Sequence, residues 1–280
     1  MKYDRKIHQK LSSIENILDD PDKIEEVKER TDISLAIDYS ESAHEYARNY
    51  GKFTGLSLGY DGINKRTGSF LPGEVFVIAG GTGFGKSVLS QNIAVNVALQ
   101  KKMVLMITLE MTKEQTLSRM YRMTDKHDLI DTMVAFQKAS SVNDKDIAIL
   151  MRKASEYGMD LVILDHLHFL PRGADNIRNE ISRITKLFKE ASVEYKIPVI
   201  ILCHVNRAIE KGQKPDLMHL KESSSIEQDA DMVGFVYRDN AKAKDVMQFY
   251  MRKNRSRELI YEPMEFMQEG WKLNEIKEIE

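Results

Sequence analysis

Gly80-Gly81-Thr82-Gly83-Phe84-Gly85-Lys86-Ser87 is the stretch whose reading decides the fold. Before it stands Val75-Phe76-Val77-Ile78-Ala79, apolar and largely β-branched, as a buried strand requires. From Val88 to Leu99 apolar residues recur at helical spacing. Strand, glycine loop and helix form the context in which G-x-x-x-x-G-K-[ST] acts as a phosphate-binding loop. Gly80, Gly81, Gly83 and Gly85, with Thr82 and Phe84 completing the loop, let backbone N–H groups surround a β-phosphate, and the helix turns its positive end toward it. Lys86 brings a point charge to the β- and γ-phosphates, and the Ser87 hydroxyl suits Mg²⁺. The stretch implies a site for a nucleoside triphosphate, with ATP and Mg²⁺ as the expected pair.

Composition sets limits on the rest. A chain of 280 residues holds one large α/β domain with a short appendage rather than two full domains. With 42% hydrophobic and 30% charged residues it reads as soluble and globular. Apolar runs fall short of a membrane helix, and Met1-Lys2-Tyr3-Asp4-Arg5-Lys6 lacks a signal-like apolar region behind it, so a cytoplasmic protein with no membrane partner is expected. The single cysteine, Cys203, lies in an apolar strand pattern, which excludes disulfides and zinc clusters. A net charge of −2 gives no global basic field, so any nucleic-acid contact must come from local clusters or from charge concentrated by assembly.

Residues 1–50 are polar and mostly acidic, with two thin apolar stripes, Leu11-Ile14-Ile17-Leu18 and Ile33-Leu35-Ala36-Ile37, split by Asp19-Asp20-Pro21-Asp22. They read either as a helical segment that docks on the main domain or a neighbouring copy, or as a tail. From 51 to 280 strands and helices alternate. Strands are expected at Glu74–Ala79, Met103–Leu109, Leu161–Asp165, Val199–His204, Met232–Tyr237 and Val246–Arg252. Helices are expected at Lys86–Gln100, Lys113–Met123, Asp144–Tyr157 and Ile177–Tyr195. Nearly continuous apolar strands point to a mostly parallel, doubly wound α/β sheet covered on both faces, with the site at the strands' carboxyl ends.

Further chemistry falls at those ends. Asp160-Leu161-Val162-Ile163-Leu164-Asp165 is an apolar strand closed by a carboxylate, the form of the Mg²⁺-holding motif, so Asp165 is a metal-site candidate. Glu110 follows the strand Met103–Leu109 and is either the base that deprotonates an attacking water or the cap of the helix after it. His204 ends Val199–Cys203 and is either a group that senses the γ-phosphate or an ordinary polar strand end. Phe249-Tyr250-Met251 leads into Arg252-Lys253-Asn254-Arg255-Ser256-Arg257, expected at a hairpin tip before a second short strand. Those basic residues are either solvated or include an arginine finger.

Lys221-Glu222-Ser223-Ser224-Ser225-Ile226-Glu227-Gln228-Asp229-Ala230-Asp231, followed by Phe235-Val236-Tyr237-Arg238-Asp239, resembles the signature segment of DnaB-type replicative helicases. Thr54-Gly55, Gly59-Tyr60-Asp61-Gly62-Ile63-Asn64, Leu109-Glu110-Met111, Cys203-His204-Val205-Asn206-Arg207 and Lys253-Asn254-Arg255 complete the resemblance in order, from about Gly51 to Leu273. It implies a RecA-like ATPase core in a hexameric ring that threads single-stranded DNA and unwinds duplex with ATP, 5′ to 3′. Glu110 then matches the catalytic glutamate, His204 the γ-phosphate sensor, Lys86, Ser87 and Asp165 the triphosphate and Mg²⁺ ligands. Arg238 matches an arginine packed on the base. Lys253 and Arg255 match the pair that reaches the neighbouring subunit's site. Channel loops would be Pro171–Asn179 and Arg207–Leu220, offering Arg172, Arg178, Arg207, Lys211 and Lys214 to DNA.

The chain departs from that family in three places. It has no counterpart of the large N-terminal helical domain that contacts primase. Its phosphate loop is richer in glycine, as in phage and recombinase-like versions, and Ser256-Arg257 stand where a glycine often follows Lys-x-Arg. A minimal helicase is expected, in a bacterial host's cytoplasm if phage- or mobile-element-encoded, with a separate primase or loader as partner. The alternative is a RecA-like recombination or ring-loading ATPase that binds DNA without unwinding it.

Overall fold

The computed structural model describes residues 55–277 apart from 69, 109, 139–143, 167–176, 206–213, 221–225, 227, 240, 256 and 258; the side chains of 138, 144–145 and 177–181 are also outside the description. The described residues belong to one compact unit, Lys52–Glu280. The N-terminal segment 1–50 and its expected docking role lie outside them.

The core begins with β1 (Val75–Gly80), buried along its whole length. Its alternate residues serve opposite faces, as the two-residue period of a strand dictates. Phe76 and Ile78 join Leu89 and Ile93 of α2 (Lys86–Leu99), while Val75, Val77 and Ala79 join Ile184 and Phe188 of α6 (Ile177–Tyr195). Phe76 is held edge-on by Phe70 and Phe249, with ring centroids 6.1 and 6.3 Å away. Truncating such a ring to alanine costs about 3–5 kcal/mol.

Among the described residues nine strands form one sheet in the order β3 (Val134–Lys138), β2 (Val104–Thr108), β4 (Leu161–Asp165), β5 (Val199–His204), β1, β6 (Met232–Tyr237), β7 (Val246–Asn254), β8 (Met264–Glu269), β9 (Lys272–Ile276). The pairs from β3 to β6 are parallel, and those from β6 to β9 antiparallel. The mostly parallel sheet flanked by helices is the architecture expected from sequence. β3 and β9 lie outside the expected strands. β9 is buried only at Leu273, so its apolar signal is too thin to read.

Among the described residues the remaining α-helices are α1 (Asp61–Thr67), α3 (Lys113–Tyr121), α4 (His127–Met133) and α5 (Asp144–Glu156). α3 starts at a capping box: Gln115 N donates to Thr112 Oγ1, and Thr112 N to Gln115 Oε1, both at 3.2 Å. This cap sits two residues after Glu110, so the helix begins without the Glu110 side chain.

One expectation is corrected. Arg252, Lys253 and Asn254 are not at a hairpin tip. β7 continues through Asn254, because β6 offers backbone partners down to Met232. The apolar run stops at Met251 while the ladder does not. Among the described residues, no helix is long and apolar enough to cross a membrane.

Candidate active site

The phosphate loop leaves β1 and enters α2, and Glu110, Asp165 and His204 stand at or just beyond the carboxyl ends of β2, β4 and β5. The register fixes this grouping: Gly80 pairs with His204, and Thr108 with Asp165. Gly85 has φ +104°, in the left-handed region where a Cβ is strained, so glycine is required where the loop turns into the helix.

Lys86 is buried and folds back over its own loop. Its Nζ donates to the carbonyls of Gly80 at 2.9 Å and Gly81 at 3.0 Å, and lies 3.2 Å from His204 Nδ1. An ammonium only donates, so His204 Nδ1 accepts and the ring proton sits on Nε2. Burial pushes the Lys86 ammonium down to about 8, opposed by nearby groups that include Asp165 and Glu110. A bound phosphate would reverse that cost, since opposite charge favours the charged form.

Ser87 Oγ donates to Asp165 Oδ1 at 3.1 Å. Asp165 is buried, and desolvation raises its carboxyl to about 6 against the hydrogen bond from Ser87. Beside it, the buried Thr108 Oγ1 has no hydrogen-bond partner among the described residues. The Ser87 hydroxyl, a carboxylate disfavoured as a bare charge and the orphaned Thr108 hydroxyl together fit a hydrated divalent cation such as Mg²⁺.

His166 was not singled out from sequence. It follows Asp165, is 3% exposed, and its Nδ1 lies 3.4 Å from Glu110 Oε2 and 4.0 Å from Asp165 Oδ1. Its ring meets His204 edge-to-face at 4.2 Å. The sole sequence signal was its place at a strand end beside a carboxylate.

A cleft of about 300 Å³ opens over the loop, lined by Thr82, Gly83, Lys86, Glu110, Arg238 and Trp271 among others. Arg238, placed from the resemblance, reaches this cleft, and its guanidinium donates to Lys244 O and Gln268 Oε1. Trp271 and Arg119 were missed. The Arg119 guanidinium lies 3.9 Å above the Trp271 ring, a cation–π contact at the cleft's edge. Trp271 is held there by buried Asn92 of α2, whose Nδ2 donates to Trp271 O at 2.8 Å and whose Oδ1 accepts from Leu273 N at 3.0 Å.

Lys253 and Arg255 are elsewhere. Lys253 Nζ donates to Ala230 O at 2.6 Å. Arg255 N donates to Asp231 O at 3.0 Å, and its guanidinium approaches Asp231 Oδ1 at 3.4 Å and donates to Gln228 O. Asp231 is itself fixed, accepting from Val75 N at 2.8 Å and Lys189 Nζ at 2.7 Å. Gly80 pairs with Val236, so Arg255 is displaced from the phosphate loop by five strand residues, roughly 16 Å.

Of the expected DNA contacts, Arg172, Arg207, Lys211 and the side chain of Arg178 lie outside the described residues. Lys214 is described: its Nζ sits 4.3 Å over the Tyr250 ring and 3.5 Å from Tyr261 O.

The model of the DnaB-like helicase C terminal domain matches residues 55–132 and 121–275. The chain belongs to that family. A replicative DNA helicase DnaB from Buchnera aphidicola subsp. Baizongia pistaciae is 30% identical over 226 residues, 68% of this chain and 48% of that protein. Another, from Buchnera aphidicola subsp. Schizaphis graminum, is 30% identical over 244 residues, 72% of this chain and 51% of that protein. The chain thus spans about half the length of the curated DnaB relatives it matches. A solved DnaB-like replicative helicase, described with its interactions with primase, superposes with a TM-score of 0.74 at 22% identity, covering 96% of this chain and 75% of that one. That likeness establishes the fold.

Proposed function

We propose that this chain is the ATP-hydrolysing motor of a ring-forming replicative DNA helicase, moving along single-stranded DNA and unwinding duplex. The observation that carries this reading is the division of parts in one DnaB-family subunit. The phosphate loop, Glu110, Asp165 and His204 gather at one end of the sheet, while Arg255 stands roughly 16 Å away at the other. A subunit that cannot bring Arg255 to its own phosphate site is suited to act between copies, as in a homohexamer.

In hydrolysis a water oxygen bonds to the γ-phosphorus, the bond to the β–γ bridging oxygen breaks, and ADP leaves with that electron pair. Glu110 accepts the water's proton. Lys86 exchanges its loop carbonyls for phosphate oxygens, and His204 offers Nε2–H to a terminal phosphate oxygen. Ser87 and Asp165 would hold Mg²⁺, which when bound neutralises phosphate charge. Arg238 and Trp271 border the space left for the base, and Arg255 and Lys253 serve the adjacent copy's site. DNA binding falls to Arg172, Arg178, Arg207, Lys211 and Lys214, with a primase or loader as further partner.

A forked duplex tests the reading: ATP and Mg²⁺ together should drive strand displacement, and light scattering should give a ring-sized mass. ATP hydrolysis and DNA binding without displacement would return the alternative of a recombination or loading ATPase.

A further inference from the structure

Glu110 carries a demanding task for a side chain that is half exposed. To take a proton from a water in line with a phosphate it must hold one orientation, and an exposed glutamate has three side-chain torsions free to lose it. What faces it is His166, whose ring is buried. Through His166 the catalytic end of the sheet is joined side chain to side chain. Glu110 beyond β2 meets His166 beyond β4; His166 meets the ring of His204 at the end of β5; His204 meets Lys86 of the phosphate loop. The strands concerned, β2, β4, β5 and β1, are neighbours in that order in the sheet. Each contact therefore spans one strand spacing.

We infer that His166 is a positioning residue for hydrolysis, presenting Nδ1 to the Glu110 carboxylate and tying its orientation to His204, the group that meets the terminal phosphate. This rests on the proposed ATPase reading, in which Glu110 is the base. Three features support it. The Nδ1–Oε2 separation of 3.4 Å is one that a small rotation of Glu110 closes to a hydrogen bond, as catalytic contacts tighten on substrate binding. The edge-to-face contact at 87° and 4.2 Å gives the two imidazoles a fixed mutual geometry. Finally, His166 is 3% exposed, so a rotation that broke its contact with Glu110 would have to displace packed neighbours.

The test compares His166→Leu, which fills the space without a donor, with His166→Asn, whose amide nitrogen can stand where Nδ1 stood. ATP turnover is measured with Mg²⁺ and single-stranded DNA, alongside nucleotide affinity and a thermal melt. In the Leu variant kcat should fall roughly 10- to 100-fold while KM for ATP stays within about twofold, the pattern of a lost transition-state alignment. The Asn variant should recover at least about a third of the parent kcat. A merely structural role would lower the melt and affinity together and would not be rescued by Asn. A Leu variant at the parent rate overturns the inference, as does an Asn variant as slow as Leu. If the Leu protein fails to fold, His166→Gln, whose longer arm moves the amide away from the Nδ1 position, takes its place with the same two outcomes. Parent protein without ATPase, or an active Glu110→Gln, would strike at the proposed function and not at His166 alone.

Discussion

The two ends of the central strands are built on different economies of charge. At the carboxyl end Lys86 and Asp165 are buried and both shifted toward neutrality, the lysine down to about 8 and the carboxyl up to about 6. Polar groups there are held by short contacts to one another and leave a cleft beside them. At the opposite end Asp231 is also buried, yet it accepts from a backbone N–H and from Lys189 and approaches Arg255, so its charge is met on every side. One end is poised to gain a ligand; the other is already satisfied apart from a half-exposed arginine. The difference teaches which end has charge to offer a neighbouring copy: the half-exposed Arg255, as the proposed function requires. Among the described residues Lys86, Arg119 and Arg238 reach the cleft from its own subunit, whereas Arg255 is held at the opposite end of the strands by Asp231 and Gln228.

The largest expected effect breaks this comparison at its weak side. Arg255→Ala should lower ATP turnover by about 10³–10⁵, the range of an arginine finger, while nucleotide binding persists. Mixing Arg255→Ala with Lys86→Ala protein should restore part of the activity once subunits exchange, because some interfaces then carry an intact Lys86 and an intact Arg255. An Arg255→Ala protein active by itself would place the arginine outside catalysis.

At the other end, Glu110→Gln should cut turnover by about 10²–10⁴ with nucleotide affinity retained, since an amide cannot accept the proton. Stopped-assay phosphate release checks it. A near-parental rate would return Glu110 to a structural role, although Thr112 and Gln115 already fill the cap of α3.

Asp165→Asn sharpens the comparison through stability. Burial raises the folded-state carboxyl from 3.8 to about 6, so the folded protein holds that proton more tightly than the unfolded chain. The favourable contribution is complete below about pH 3.8 and lost as pH rises through about 6, leaving a cost on the order of 3 kcal/mol when the carboxylate is ionised. Asparagine carries no such charge. In metal- and nucleotide-free buffer near pH 8 the variant should therefore melt above the parent, with the gap narrowing as pH falls toward 4. It should also lose the added stability that Mg-ATP gives the parent. Melting below the parent near pH 8 would show that the carboxylate is met by charge in the free protein, as Asp231 is.

The smallest effect concerns the cleft's rim. Trp271 is the only tryptophan, so its emission reports this site alone. Arg119→Ala should shift that emission and cost about 0.5–1 kcal/mol of stability, as an exposed cation–π contact does. ATP should shift it in the parent. Emission indifferent to both would separate Trp271 from the nucleotide cleft.

Much of this was legible because local rules carried it. Gly80–Ser87 states its own loop geometry, and β4 and β5 are so apolar that Asp165 and His204 mark their ends. Other parts depend on contacts between distant residues. Trp271 enters the site through Asn92, 179 positions earlier, and no short pattern encodes that bond. His166 gains its meaning only when β2, β4 and β5 lie side by side. Arg252–Asn254 were read as a tip because their side chains turn polar, whereas the ladder is set by backbone partners on β6. Arg172, Arg207 and Lys211 were placed by resemblance and remain proposals.

The bond from Asn92 to Trp271 and Leu273 also orders events in time. The phosphate loop runs directly into α2 (Lys86–Leu99), whereas Trp271, which borders the cleft, stands just before β9 (Lys272–Ile276). A chain emerging from the ribosome can fold its loop early, but Asn92, a buried amide, waits for partners that lie 179 and 181 positions later. Nascent chains should therefore gain full nucleotide affinity only once Trp271 and Leu273 are available, so a stalled fragment ending before Trp271 should bind ATP more weakly than one that includes both.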